Sequence, residues 1–197
     1  MIKIAITGNI ASGKSEVQKI LENMGYKVLD TDIAGHDILK TCDKIKIAFK
    51  DYDVFDDSGE ISREKLGKLI FSNSELKIKL EQISHPEIRE KILEFFNKNK
   101  REELIFVGIP LLFEAKMEDL FDRILLIYAD DNIRICRLMK RNNYDENQAK
   151  LRLNSQIPQY KKLPFCDYII ENNHSIEFLH SEVTKIVNKI LNTNKSA

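Results

Sequence analysis

Gly8-Asn9-Ile10-Ala11-Ser12-Gly13-Lys14-Ser15 packs two glycines, one ammonium and one hydroxyl into a single short stretch. That combination suits one task, holding a polyphosphate. Glycine allows backbone angles and a close approach that a Cβ would block, so successive N–H groups can turn inward around an anion. A helix starting near Lys14 adds the positive end of its dipole. Lys14 can then reach the β- and γ-phosphates, and the Ser15 hydroxyl can take one position on Mg²⁺. The stretch fits G-x-x-x-x-G-K-[ST] in full. Residues Gly8, Asn9, Ile10, Ala11, Ser12, Gly13, Lys14, Ser15 and Glu16 are therefore the candidate ATP loop, with Ser15 the candidate metal ligand.

A phosphate loop does not by itself say where the phosphoryl group goes. A GTPase should carry an N-K-x-D guanine-reading signature, and "NKNK" (97–100) lacks the aspartate. Two other groups bear on the acceptor. Asp30 and Asp32 lie two apart at the end of a short apolar run, "YKVLD" (26–30). Ligands of open parallel sheets bind beyond the carboxyl ends of the strands, so Asp32 can accept a proton from an attacking hydroxyl or help hold Mg²⁺. A general base of this kind contributes about 10²–10⁴-fold. The alternative is that Asp32 caps a helix over "IAGHDILK". Further on, Arg134, Arg137 and Arg141 share one face at 100° per residue, opposite Asn132, Ile135, Cys136 and Met139. The stripe is either a solvated face, partly offset by Asp130, or a surface for phosphate oxygens, which guanidinium groups suit.

Five apolar, β-branched runs must carry these groups: 3–7, 26–30, 105–109, 123–129 and 167–171. Separated by helical pattern, they predict a parallel sheet flanked by helices. The spacing predicts a helix from Lys14 to about Met24, ended by Gly25. Between Asp30 and Ile105 only helical pattern occurs, with Ser62 a candidate cap and Pro86 suited to the first turn of "EIREKILEFF". "RNNYDEN" (141–147) predicts a turn, and Asp145 the cap of a second basic helix carrying Lys150 and Arg152. Two basic helices joined by a turn suit a lid that closes over phosphates and excludes water. Leu179, Val183, Ile186, Val187, Ile190 and Leu191 form an apolar stripe that packs a final helix on the core, and "NTNKSA" (192–197) is expected to fray.

Composition narrows the class. The 197 residues carry 31 basic and 31 acidic side chains, a balance that speaks against a nucleic-acid partner. The three cysteines are odd in number and form no C-x-x-C, which predicts reduced thiols rather than a disulfide framework or zinc site. His36, His85, His174 and His180 show no metal-ligand spacing. No apolar run reaches the length of a membrane span. A soluble cytoplasmic protein with no membrane partner, a monomer or weak homo-oligomer, is expected.

Together "TGNIASGKS" (7–15), "DTD" (30–32), "HPEIR" (85–89), "PLLFE" (110–114), "RLMKRNNYDENQAKLRLNSQ" (137–156) and "DYIIEN" (167–172) resemble the dephospho-coenzyme A kinase family across nearly the whole chain. The loop is generic to many kinases, whereas "PLLFE" after a strand, with "HP" upstream and R-L-x-x-R downstream, is far more specific. The resemblance implies ATP-dependent phosphorylation of the ribose 3′-hydroxyl of dephospho-coenzyme A. It implies Asp32 as the candidate base, Thr7 near the phosphates, and Lys14, Arg137 and Arg141 neutralising charge, with Arg141 the lid arginine. His85, Arg89, Leu111, Phe113 and Glu114 would line the acceptor pocket. On this reading the core spans about 1–59, 103–135 and 164–197, an acceptor-binding helical insertion about 60–102, and the lid about 136–163.

Each assignment has a plainer rival. His85-Pro86 can be a helix start, Leu111, Leu112 and Phe113 core, Glu114 a solvated carboxylate, and Arg89 the partner of a neighbouring Glu. For Leu112 core is favoured. Glu16 stands where many relatives have threonine, and Asn9 replaces a common glycine, tolerable because asparagine visits left-handed angles. Other small-molecule kinases, of the nucleoside monophosphate or shikimate type, and a non-catalytic nucleotide sensor are the competing functions.

Overall fold

A computed structural model describes residues 1–195. The chain divides into two compact units, residues 1–30 with 98–197, and residues 31–97.

The first unit is built on five parallel strands. They are β1 (Ile2–Thr7), β2 (Lys27–Asp30), β3 (Leu104–Gly108), β4 (Arg123–Tyr128) and β5 (Tyr168–Glu171), in the spatial order β2-β3-β1-β4-β5. The central strands are mostly apolar because both faces are covered. Ile4, Ala5, Ile6 and all of β3 are buried. Helix α1 (Lys14–Asn23) presents Val17, Ile20 and Leu21 to the sheet, and the last helix, numbered α9 below, presents Leu179, Val183, Val187 and Ile190. Gly25, at φ 91°, ends the first of these helices as the sequence predicts.

The second unit is helical: α2 (Thr31–Thr41), α3 (Asp43–Ala48), α4 (Arg63–Ser72) and most of α5 (Ser74–Lys98). It begins at Thr31 rather than near residue 60, because Ile38, Ile45 and Phe49 share one core with Leu66, Leu76 and Leu80. Ser62 caps α4 through Lys65 N–H. Pro86 does not open a helix. It lies inside the 25-residue α5. Its missing N–H removes one rung of the ladder, while Leu76 and Leu80 before it and Ile92 and Phe96 after it stay buried and carry the helix through.

Beyond β4 the first unit adds α6 (Asp131–Asn142), α7 (Glu146–Asn154), the one-turn α8 (Gln159–Lys162) and, after β5, α9 (Ile176–Lys195). Asn143, at φ 57°, ends α6, and Asp145 with Gln148 forms a capping box that starts α7. Leu138, Ala149 and Leu153 pack these two helices together, with Ile10 and Ala11 against them. The expected fraying at 192–197 does not begin within the described residues, since α9 runs through Lys195, and residues 196–197 lie outside them.

Candidate active site

Strand β1 lies at the point where the connections diverge. From β1 the chain crosses β3 to β2, and from β3 it crosses back to β4. Such a switch point opens a crevice at the carboxyl edge of the sheet. The loop 8–13 and the turn after β3 flank it, tied where Ile109 N–H donates to Ile6 O at 2.8 Å.

Each glycine of the loop has a physical reason. A Cβ on Gly8 would lie 2.8 Å from Ile127 O, and one on Gly13, at φ 100°, would run into the Asn172 side-chain amide. The left-handed non-glycine residue of the loop is Ala11, at φ 62°, and not Asn9. This conformation costs about 1–2 kcal/mol, so the surroundings must hold it, and they do so through the loop's carbonyls. Arg134 Nε donates to Ile10 O at 3.0 Å, Arg137 Nη1 to Ala11 O at 3.2 Å, and Asn172 Nδ2 to Ser12 O at 2.8 Å. From the far end of α7, Gln156 Oε1 accepts from Ile10 N–H at 2.8 Å, and Asn9 Nδ2 donates to Ile157 O at 2.7 Å. Asn9 thus spends its side chain on a long-range bond rather than on a turn. The carbonyls of Ile10, Ala11 and Ser12 are thus held by α6 and Asn172, and the N–H groups that a helix start leaves unpaired follow at the first turn of α1.

Lys14 is buried, with Nζ donating to Gln18 Oε1 at 3.0 Å and lying 3.8 Å from Asp30 Oδ1. Asp30, at the end of β2, is thus a carboxylate beside the loop lysine, a place for which the sequence offered it no separate role. Asp32 is exposed in the first turn of α2; because that helix starts at Thr31, Asp32 is not its cap. Ser15 and Glu16 are both exposed on the first turn of α1. Thr7 is fully buried at the end of β1, its Oγ1 3.5 Å from Pro110 O.

The arginine stripe splits three ways. Arg134 is buried beneath the loop and pairs with Asp131 at 2.8 Å, not with Asp130. Arg137 is half-buried and, besides the loop carbonyls, donates through Nη2 to Asn172 O at 2.9 Å. Burial pushes both guanidinium groups below the ordinary arginine value, yet an arginine stays charged in a protein. Arg141 is exposed one turn further along α6, with Nε on Asn142 Oδ1.

In the turn after β3, Leu112 is core, Leu111 is exposed and Phe113 is half-buried against Phe165. Glu114 is not a solvated carboxylate: it accepts from Lys162 Nζ at 3.1 Å. His85 and Arg89 are half-buried and one turn apart on α5 of the helical unit. Gln18 could have been suspected from its i+4 spacing to Lys14. Gln156 closes the 137–156 motif without an assigned role, and Gln159 and Lys162 carried no signal of their own. Gln159 nevertheless clamps Ala129, accepting from its N–H at 3.3 Å and donating to its carbonyl at 2.9 Å. Among the described residues no cluster of His, Cys, Asp and Glu could hold a metal by itself, and no helix is long and apolar enough to cross a membrane.

Known proteins share this arrangement. The sequence profile of the dephospho-CoA kinase family matches residues 2–177. A dephospho-CoA kinase from Listeria monocytogenes is 35% identical, covering 95% of this chain and 96% of its own, and one from Carboxydothermus hydrogenoformans is 37% identical, covering 94% and 93%. A dephospho-CoA kinase structure from Campylobacter jejuni superposes with a TM-score of 0.74 at 32% identity, covering 98% of each chain. A shikimate kinase from Acinetobacter baumannii shares the fold, with a TM-score of 0.58 at 16% identity over 98% of this chain and 94% of its own. The phosphate loop, the parallel sheet and the match along the chain agree, and this protein belongs to the dephospho-CoA kinase family of phosphotransferases.

Proposed function

We propose that this chain transfers the γ-phosphoryl group of ATP to the ribose 3′-hydroxyl of dephospho-CoA, giving CoA and ADP, the last step of CoA biosynthesis. The family match across residues 2–177 carries this reading, because the fold alone is shared with a shikimate kinase. Residues 8–16 cradle the ATP phosphates. Lys14, kept in place by Gln18 and Asp30, offsets charge on the transferring group. Arg137 and Arg141 add positive charge from α6. Asp32 acts on the acceptor hydroxyl, taking its proton or orienting it for in-line attack. Thr7, just before the loop at the end of β1, acts near the phosphates. His85 and Arg89 are assigned to the acceptor, as are Leu111, Phe113 and Glu114, and residues 136–163 serve as the lid.

The exposed Ser15 hydroxyl, at the start of α1, fits one coordination position of Mg²⁺. The ion when bound supplies neutralisation of the phosphate oxygens. We place the protein in the cytoplasm, as a monomer or weak homo-oligomer working on small molecules, consistent with its balanced charge and its three free cysteines. A coupled ADP-release assay over an acceptor panel tests the reading. Turnover should depend on dephospho-CoA. Strong turnover of shikimate or a nucleoside with none of dephospho-CoA, or ATP binding without any transfer, refutes it.

A further inference from the structure

Lys162 ends the one-turn α8 and is only 1% exposed. A lysine is almost never buried so completely unless paired. Its Nζ donates to Glu114 Oε1 at 3.1 Å and lies 5.9 Å from the centroid of the Phe113 ring, which itself meets Phe165. The ammonium thus lies over one aromatic ring and meets one carboxylate among the described residues.

The other half of that carboxylate is unsatisfied. Glu114 Oε2 is buried and meets no donor among the described residues. An ionised carboxylate accepts on both oxygens, and leaving one buried oxygen unpaired is expensive. A pair kept for stability alone gains little over apolar packing of the same volume. An oxygen held in place but unanswered instead suits a ligand. Its position agrees: Glu114 lies in the turn after β3, which flanks the switch-point crevice beside the phosphate loop.

We infer that Lys162 is a positioning residue, which holds Glu114 by one oxygen so that Oε2 receives an N–H or O–H donor of the acceptor. This rests on the proposed function. Dephospho-CoA offers such donors in its adenine amine, its ribose hydroxyls and its amide groups.

The test compares Lys162→Met, of similar volume without charge, with Glu114→Gln and the double variant. Steady-state kinetics are read separately for dephospho-CoA and ATP, and dephospho-CoA binding is titrated in the absence of ATP. Each single variant should raise the acceptor KM and Kd by about tenfold or more, leave the ATP KM unchanged, and combine without further loss in the double variant. Equal acceptor binding by wild type and both single variants overturns the inference, as does a parallel rise in both KM values or a fall in thermal stability alone. Should Lys162→Met not fold, Glu114→Gln decides: an unchanged acceptor KM overturns the inference and a selective rise upholds it. A wild-type protein that neither binds nor phosphorylates dephospho-CoA refutes the functional reading itself, and the inference falls with it.

Discussion

Arg137 is a phosphate ligand in the proposed reaction, yet the structure also makes it part of the loop that does the binding. Replacing it with Met separates the two roles. The substitution removes the Nη1 bond to Ala11 O at 3.2 Å and the Nη2 bond to Asn172 O at 2.9 Å, along with weaker contacts at 3.4 Å to Ser12 O and Asn172 Oδ1. Ser12 O keeps its bond from Asn172 Nδ2, so two carbonyls lose their main donor. Taking about 1–1.5 kcal/mol for each, since the guanidinium is half-buried and water can replace it in part, the loss is about 2–3 kcal/mol. For a chain of this size each kcal/mol moves Tm by about 2–4 °C, a fall of about 4–12 °C without nucleotide. Ala11 then loses a restraint on its left-handed angle, and ATP affinity should fall by about tenfold or more. A tenfold weaker Kd removes about 1.4 kcal/mol of the stabilisation that saturating ATP provides. Thermal denaturation with and without ATP reads both quantities. An unchanged Tm in the absence of nucleotide, with weaker ATP binding, would refute the loop-building role and leave Arg137 a phosphate ligand only.

Other outcomes follow from the same geometry. Asp32→Asn should leave ATP affinity nearly intact and lower turnover by about 10²-fold or more; comparable turnover in the two proteins would remove Asp32 from the chemistry. Gly13→Ala places a Cβ at φ 100° against the Asn172 amide and should cost about 2–4 kcal/mol from backbone strain and the lost Asn172 bond, which chemical denaturation would register together with loss of ATP binding. Burial, helped by Asp167, pushes the Cys166 thiol up to about 11, so it stays protonated as pH rises through 8, whereas Cys136 is exposed. Iodoacetamide at pH 8 should therefore label Cys136 first in the folded protein, as peptide mass mapping would show; equal labelling of Cys166 would contradict its burial.

How far each feature was legible depends on how far apart its partners lie in the chain. The Gly8 and Gly13 positions, the five strands, the Ser62 and Asp145 caps and the apolar stripe of α9 all follow from neighbours within a few residues. Pro86 was misread because the local rule, proline at a helix start, competes with tertiary packing that carries α5 through it. The three arginines looked alike on one helical face; distant partners make Arg134 a buried brace and Arg137 a loop clamp, whereas Arg141 is exposed and bonds its neighbour Asn142.

From residue types and spacing alone came the polyphosphate chemistry, the parallel sheet and the helix ends, since glycine sterics, periodicity and capping act over one or two turns of chain. The bracing of the loop came from folding. Asn172 reaches Ser12 across 160 residues and Gln156 reaches Ile10 across 146, and the burial of Lys162 against Glu114 spans 48. Hydrogen bonds are short and directional, so side chains that far apart in the chain become partners only once the sheet brings their strands' ends together.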